Sequence, residues 1–539
     1  MALTRRSFLT RVGQVGGFGA AFVSMRALGL TPPETRIEPI AAAPNSGNGI
    51  NVVILGGGIA GLVAAYELTA LGYTCTLLEA RSRPGGRNWT VRYGTEILFT
   101  DGSSQTCAFS KGLYQNVGPA RLPSTHRNML NYCRKFNIPL EVEINTSRSS
   151  LLENDKANNG KPIVQRQAIN DTRGHVSELL SKCIRSGSLD AEMTKDDTTR
   201  ILDFLRTYGP LDNSGKYIGS DRAGFSTPPG AGDDAGTFLQ PLSMHTLLDA
   251  NFWDGLLYEE NYDWQATMMQ PVGGMDRIPY AFAEHLGPIV QYNAPVTELH
   301  KTSTGVSVHY TRNGAPTVVA ADFCFCAMPL STLRKVKYDL SPAYAKVVEQ
   351  STYAGYYKVA WESRRFWEQD YNIYGGLEFL AQGPSPVWLP SMGLTTDRGV
   401  LVAGYDEASG TPFGQLSLQQ KFEASRASVE RLHPGHGHEL EKPIYVGWGQ
   451  IPYNEGSWLS SYGPNQPQLE PTDTLPLGHP RNGAFANPGY ETLLQPDGPI
   501  YFVGDHVSYL IGWQEGAALS SLRAIGQLSD RVKQSKPAG

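Results

Sequence analysis

A cluster of glycines and one glutamate set the first chemical question. Gly56, Gly57 and Gly58 follow the apolar run Val52 to Leu55, Gly61 comes shortly after, and an alanine- and leucine-rich stretch continues from Ile59. A short buried strand that turns sharply into a helix needs residues without a Cβ, and so does a pyrophosphate approaching that helix's N-terminus. Gly56 is expected to make the turn, Gly58 with Ile59 and Ala60 to admit phosphates, and Gly61 to let the helix pack on the strand. A second apolar strand, Thr74 to Leu78, ends at Glu79, about 20 residues on, where a ribose hydroxyl would lie. This spacing predicts a dinucleotide site in a Rossmann-like α/β domain.

The next residues, Ala80 to Arg87 (ARSRPGGR), add a second glycine turn flanked by arginines. Alone they would read as a surface turn, but directly after Glu79 they can carry the chain across a long cofactor. The segment resembles the flavin-dependent amine oxidase family. The resemblance implies FAD, held by Glu79, Ala80, Arg81, Gly86 and Arg87.

Gly118 to Pro139 (GPARLPSTHRNMLNYCRKFNIP) resembles the L-amino-acid oxidases of snake venoms and bacteria, whose matching run passes beside the flavin. Gly118, Pro119, Ala120 and Arg121 are thereby assigned to the cofactor, and Arg121 to the substrate carboxylate. A planar guanidinium offers two parallel donors to two oxygens, which lysine does not reproduce. A structural arginine bonding loop carbonyls is the alternative. The following helix is expected to be capped by Ser124 or Thr125, with Met129, Leu130, Cys133 and Phe136 on one face.

Further matches extend the resemblance. Lys358 in YYKVAWESRRFWE corresponds to a lysine that holds water against the flavin, although an unseen carboxylate could equally explain a buried ammonium. Tyr405, ending VLVAGY, matches the second carboxylate ligand, and half-buried packing is its bland alternative. Val296 matches a residue whose backbone meets the adenine. Asn454 to Gln466 places Ser457 and Trp458 where monoamine oxidases carry a flavin-bonded cysteine and an aromatic, which implies non-covalent FAD and one wall of the substrate slot. Near the C-terminus, IYFVGD and GWQEGAALSSLRAI assign Gly504, Asp505, Gly512, Trp513, Gln514 and Ala517 to the cofactor. Gly512 and Trp513 also border the substrate, with Trp513 as the second wall or else ordinary core. The venom enzymes' catalytic histidine has no counterpart: the nearest positions are Tyr258 and Glu259.

The elements that must position these residues fall into discontinuous domains. Residues 50–88, 270–350 and 485–535 are expected to form the FAD domain, with strands at Ile289 to Tyr292 and Asp322 to Met328. Residues 89–150 and 351–484 are expected to form a mixed-sheet substrate domain. An inserted, mainly helical domain spans 151–269, with Trp253, Tyr258, Glu259, Glu260, Tyr262 and Trp264 as entrance candidates. Leu416 to Leu432 reads as a packing helix, and His433, His436 and His438 as exposed loop histidines rather than a metal site.

The chain has 539 residues, 40% hydrophobic and 18% charged, with a net charge of −5. That is the balance of a globular protein and not of a nucleic-acid binder. No uninterrupted apolar stretch of about 20 residues offers a membrane span. Thr4-Arg5-Arg6-Ser7-Phe8-Leu9 before a weakly apolar segment reads as a twin-arginine export signal ending near Ala41 to Ala43, with a disordered basic tail as the alternative. Periplasmic or secreted localisation follows. Cys75, Cys107, Cys133, Cys183, Cys324 and Cys326 form no metal pattern, and Cys75, Cys324 and Cys326 lie in expected buried strands.

Together these features imply oxidative deamination of L-amino acids, with a small-molecule amino acid and O₂ as partners. Oligomeric state is silent, and a homodimer stays open. An amine or polyamine oxidase, an amino-acid 2-monooxygenase giving an amide, and a non-catalytic flavin-binding protein are the alternatives.

Overall fold

Val52 to Leu55 are all buried, and a strand covered on both faces explains why the run is continuously apolar instead of alternating. A computed structural model of the chain describes residues 45–464 and 487–535. The twin-arginine pattern and Ala41 to Ala43 lie outside the described residues, as does the Trp253 side chain.

In chain order, the elements that build the site are β1 (Asn51–Leu55), α1 (Ile59–Ala70), β2 (Thr74–Leu78), α2 (Arg127–Lys135), β3 (Val290–Gln291) and β4 (Phe323–Cys326). They are followed by β5 (Tyr356–Arg364), β6 (Arg398–Glu407), β7 (Glu441–Gly447), β8 (Ile500–Phe502) and α3 (Gln514–Ser535). The fold is α/β. A parallel sheet runs in the order β3-β2-β1-β4-β8, with Val52 opposite Phe323, Ile54 opposite Leu77 and Cys326 opposite Phe502. Cys75, Cys324 and Cys326 are buried in it, as expected of cysteine used as a small apolar residue. β3 is shorter than expected, because a 3-10 turn takes Gly287–Ile289.

The helix α3 closes this sheet from the far end of the chain, with the Ser521 hydroxyl donating to the carbonyl of Ala60 in α1 at 2.8 Å. Gly56 turns out of β1 with φ +102°, a conformation that favours glycine. A Cβ on Gly61 would meet the Gly56 carbonyl oxygen at 2.0 Å, so this residue lets α1 seat on the turn.

The second sheet is mixed. Its order is Ile163–Val164, Leu151–Glu153, Gly376–Leu380, Val387–Leu389, β6, β5, β7. β5 and β6 pair antiparallel with Lys358 opposite Tyr405 and Ala360 opposite Val402, a register shift that leaves an extra residue in β6. Gly404 sits at that bulge with φ +120°. Directly opposed residues share a face, so the bulge and pairing together put Lys358 and Tyr405 side by side.

The 151–269 stretch contains the expected helices, Gln165–Arg185 and Lys195–Tyr208, but does not begin as one. Leu151–Glu153 is buried throughout and pairs in parallel with Phe379 and Leu380, so apolar burial draws the start of the stretch into the mixed sheet. Its end, Met268–Pro271, forms a small sheet between Leu122–Pro123 and Leu140–Glu143. His433 departs from expectation: it is fully buried, its Nε2 2.7 Å from the buried Glu378 carboxylate, because that carboxylate needs a partner. His438 is exposed, and His436 is half-buried beside Glu439.

Because the Gly61 contact is with rigid backbone, a Gly61→Val variant is expected to lose about 1–3 kcal/mol to overpacking. Thermal unfolding followed by circular dichroism reads this as a lowered midpoint, and an unchanged midpoint would show that the helix can retreat freely.

Candidate active site

A cavity of about 370 Å³ is lined by both sheets and by the loops between them. Every residue assigned from the sequence to the cofactor or the substrate carboxylate and slot lines it except Gly61, whose place is the packing contact beneath the turn; of the entrance candidates Trp264 lines it, and Tyr258, Glu259, Glu260 and Tyr262 do not.

At one end lies the turn from β1 into α1. Gly58 precedes the helix without a side-chain cap, and a Cβ there would meet no atom within 4 Å. The first-turn amides of α1 are thus open to an anion, and the helix dipole favours one. Glu79 is buried and accepts from the Gly57 amide at 2.7 Å and the Arg81 amide at 2.8 Å. These bonds fix both carboxylate oxygens while leaving lone pairs for hydroxyls. Arg81 donates to the Pro452 carbonyl and to Asn454 Oδ1, so its guanidinium braces the wall.

In the middle, Arg87 forks onto Asp505, with Nη1 at 3.1 Å from Oδ2 and Nη2 bonded to Oδ1, and also donates to the Ser457 carbonyl. The Gly512 amide donates to the same carboxylate at 3.0 Å. Burial would raise the Asp505 pKa, but the Arg87 charge and hydrogen bonds outweigh it and hold the group below the usual carboxylate range. Arg87 therefore spends its charge on Asp505 and ties together the two parts of the wall.

At the other end, Lys358 is 4% exposed and donates to the carbonyls of Asn116 at 2.9 Å and Gly118 at 2.7 Å. Burial and then Arg121 pull its pKa down to about 7, against the opposing effect of Glu143. Main-chain carbonyls take up two of its protons, which leaves the third proton of the ammonium, or the lone pair of the amine above pH 7, for a ligand or water. Arg121 is 5% exposed, with its guanidinium carbon 3.9 Å from the ring centroid of Trp264 and 4.2 Å from that of Trp388. It donates to Asn145 Oδ1 and, at 3.3 Å, to the Tyr258 hydroxyl. Tyr405 packs against Tyr356 at 5.7 Å and lies 5.3 Å from Lys358 Nζ. Trp458 packs on Tyr356 at 4.2 Å, and Trp513 on Trp264 at 5.2 Å. Gly512, with φ +80°, brings the chain against Trp458, where a Cβ would stand 3.7 Å from the ring.

The expected cap of α2 is corrected by the structure. His126 is its N-cap residue and makes no side-chain cap bond. Glu515, in the first turn of α3, instead accepts from the Asn128 and Met129 amides, both at 2.9 Å, and from Asn128 Nδ2 at 2.7 Å. A carboxylate at two first-turn amides is a stronger cap than a hydroxyl. Among the entrance candidates, Trp264 is buried under Arg121 and the Tyr258 hydroxyl accepts from it, whereas Glu259 pairs with Arg148, and Glu260 and Tyr262 are exposed. Trp388, Asn145 and Glu143 carry no motif that could have marked them.

Four polar atoms on the cavity wall are buried without a hydrogen-bond partner: Asn88 Oδ1, Trp264 Nε1, His506 Nε2 and Gln514 Nε2. Burial holds the His506 pKa down to about 4, so its imidazole is neutral. Such orphaned groups call for a polar ligand, and a glycine-lined phosphate cradle, a ribose-binding acid and an aromatic slot in one cavity fit FAD. No cysteine lines the cavity, so nothing there offers a thiol for a flavin bond.

A dinucleotide sheet sharing one cleft with a mixed sheet defines a flavin-dependent oxidoreductase, and FAD is its cofactor. The chain belongs to the flavin-containing amine oxidoreductase family, whose model matches residues 59–527. It is similar to the L-amino-acid oxidase of Notechis scutatus scutatus, 26% identical over 505 residues that cover 88% of this chain and 87% of that one. Among solved structures it is similar to cyclohexylamine oxidase from Brevibacterium oxydans, with TM-score 0.58 and 16% identity over 90% of this chain and 99% of that one. A putrescine oxidase bound to putrescine aligns with TM-score 0.55 and 19% identity over 89% and 98%.

Removing the shared cap in Glu515→Ala is expected to cost about 1–2 kcal/mol of stability. Because Glu515 neighbours Trp513, substrate KM should rise more than kcat falls. Urea denaturation and steady-state kinetics check both, and a variant with unchanged midpoint and KM would contradict the role.

Proposed function

We propose that the protein catalyses oxidative deamination of L-amino acids to 2-oxo acids, with release of NH₃ and H₂O₂. The observation that carries this reading is Arg121, a buried guanidinium that lines the same cavity as Lys358 and Tyr405. An amine without a carboxylate gives such a charge nothing to bind.

When bound, FAD would supply the redox chemistry, a two-electron oxidation of the substrate Cα–N bond with O₂ as the final acceptor. Arg121 binds the substrate carboxylate, displacing contacts to Asn145 or Tyr258, and Tyr405 supplies a second contact. Fixing the carboxylate orients the Cα hydrogen and selects the L form. Trp458 and Trp513 bound the slot and keep bulk water from it. Lys358, held by two carbonyls, has one proton, or as the neutral amine a lone pair, with which to hold a water, and water converts the released imine to 2-oxo acid and ammonia. Binding of FAD is non-covalent, so denaturation should release it into solution. We also propose export through the Thr4 to Leu9 signal with FAD already loaded; replacing Arg5 and Arg6 by lysine should retain the protein in the cytoplasm.

A peroxide-release screen over L-amino acids, their D forms and simple amines tests the reaction. Only the L-amino acids should give peroxide and an equivalent of 2-oxo acid; a shortened amide or turnover of simple amines would overturn it. Arg121→Ala should lower kcat/KM for amino acids by about 100-fold or more, the cost of removing one member of a buried charge pair. An equal rate in the variant would refute the anchor. The amine must be neutral to donate its lone pair, so kcat at saturating substrate should rise from pH 6 to 9, and a flat kcat profile would contradict this order of events.

A further inference from the structure

Glu143 ends the strand Leu140–Glu143 and is 4% exposed, yet no donor meets its carboxylate at full hydrogen-bond geometry, and Trp388 is the one side chain that acts on it as a hydrogen-bonding group. A buried carboxylate in that state is costly and needs a reason. Its position supplies one. Pro123, Met268 and Glu143 form one row across the small sheet, two residues from Arg121 at one end and two from Asn145 at the other. Trp388 then gathers the charges: Arg121 lies 4.2 Å and Lys358 Nζ 5.1 Å from its ring centroid, and its side chain also acts on Glu143. A guanidinium, an amine and a carboxylate therefore surround one indole at the substrate end of the cavity.

Resting on Arg121 as the carboxylate anchor, we propose that Glu143 is the anchor's counter-charge, a positioning residue that takes up a proton when a substrate carboxylate docks. In the empty site at pH 8, where Lys358 with its pKa of about 7 is mainly the neutral amine, the negative charge of Glu143 balances Arg121. An arriving carboxylate brings a second anion into the same low-dielectric space, where two carboxylates cannot both stay ionised cheaply. The proton comes from solvent and returns there when product leaves. Burial already raises the Glu143 pKa to about 7, against the opposing effects of Arg121, Trp388 and Lys358, so one further anion suffices to protonate it. The charged groups acting on it are Arg121 and Lys358; across the sheet it faces uncharged Met268, and Glu141 on its own strand is taken up by Gln270 at 3.3 Å.

The test uses the FAD-loaded protein and 3-phenylpropanoate, an amino-acid shape without the amine. Flavin absorbance reports binding, and an indicator dye in weakly buffered solution at pH 8 reports protons. The wild type is expected to take up most of a proton per ligand, with Kd rising toward tenfold per pH unit above pH 8. Uncharged 3-phenylpropanamide should bind without uptake. Glu143→Gln should bind the acid with no uptake and a flat Kd. Wild-type-like uptake in Glu143→Gln, or binding to the wild type without uptake, overturns the proposal. Should Glu143→Gln not fold, Lys358→Met decides: retained uptake supports Glu143, and lost uptake assigns the proton to Lys358 and overturns it. Failure of the acid to perturb the flavin at all would instead sink the carboxylate anchor, and this inference with it.

Discussion

A guanidinium removed from water must be held by something else, and at Arg121 the holders are two indole faces, an amide oxygen and a phenol. A desolvated cation over an aromatic face gains about 2 kcal/mol or more, and a sandwich supplies two such faces. Hydrogen bonds then fix the fork in its plane while leaving other N–H donors for a ligand. The four holders come from three parts of the fold: Trp264 and Tyr258 from the 258–264 segment, Trp388 from the mixed sheet, Asn145 from the loop after the small sheet. The anchor is therefore a property of the assembled fold, and it weakens if any one of those elements shifts.

The same dependence on distant partners runs through the rest of the cavity. Arg87 and Asp505 come from opposite ends of the chain, and their pairing stabilises each charge enough to offset the cost of burying both. Glu515 joins α3 to α2, and through α2 to the segment that carries Arg121. The parallel sheet supplies the frame for these joints, since β1 and β4 lie between β2 and β8 and bring Glu79 and Asp505 to one side of the cleft. The cofactor end is rigid backbone, whereas the substrate end is side chains locked by other side chains.

That division explains how much was legible in the sequence. The turn at Gly56, Gly58 and Gly61 and the acid at Glu79 could be read because the constraint there is local: backbone conformation and strand length leave few residue choices. Arg121, Lys358 and Tyr405 were marked by resemblance, and the register of β5 on β6 supplies the reason the last two belong together. Trp388, Asn145 and Glu143 were not legible, because their importance arises from cross-sheet contacts that no spacing encodes. Ser124 and Thr125 looked like caps by local rules, but a carboxylate 387 residues away from Asn128 took the position. His433 looked exposed in a Gly/Pro loop because Glu378, its buried partner, is 55 residues distant.

The most direct measurement is a crystal structure of the FAD-loaded protein with a non-reacting carboxylate such as 3-phenylpropanoate bound. The expected result is a carboxylate bridging the Arg121 guanidinium and the Tyr405 hydroxyl within hydrogen-bond distance, with Trp264 and Trp388 still stacked on the arginine. A ligand seated elsewhere in the cleft, with Arg121 still fully engaged by Asn145 and Tyr258, would show that this arginine is structural and would contradict the account.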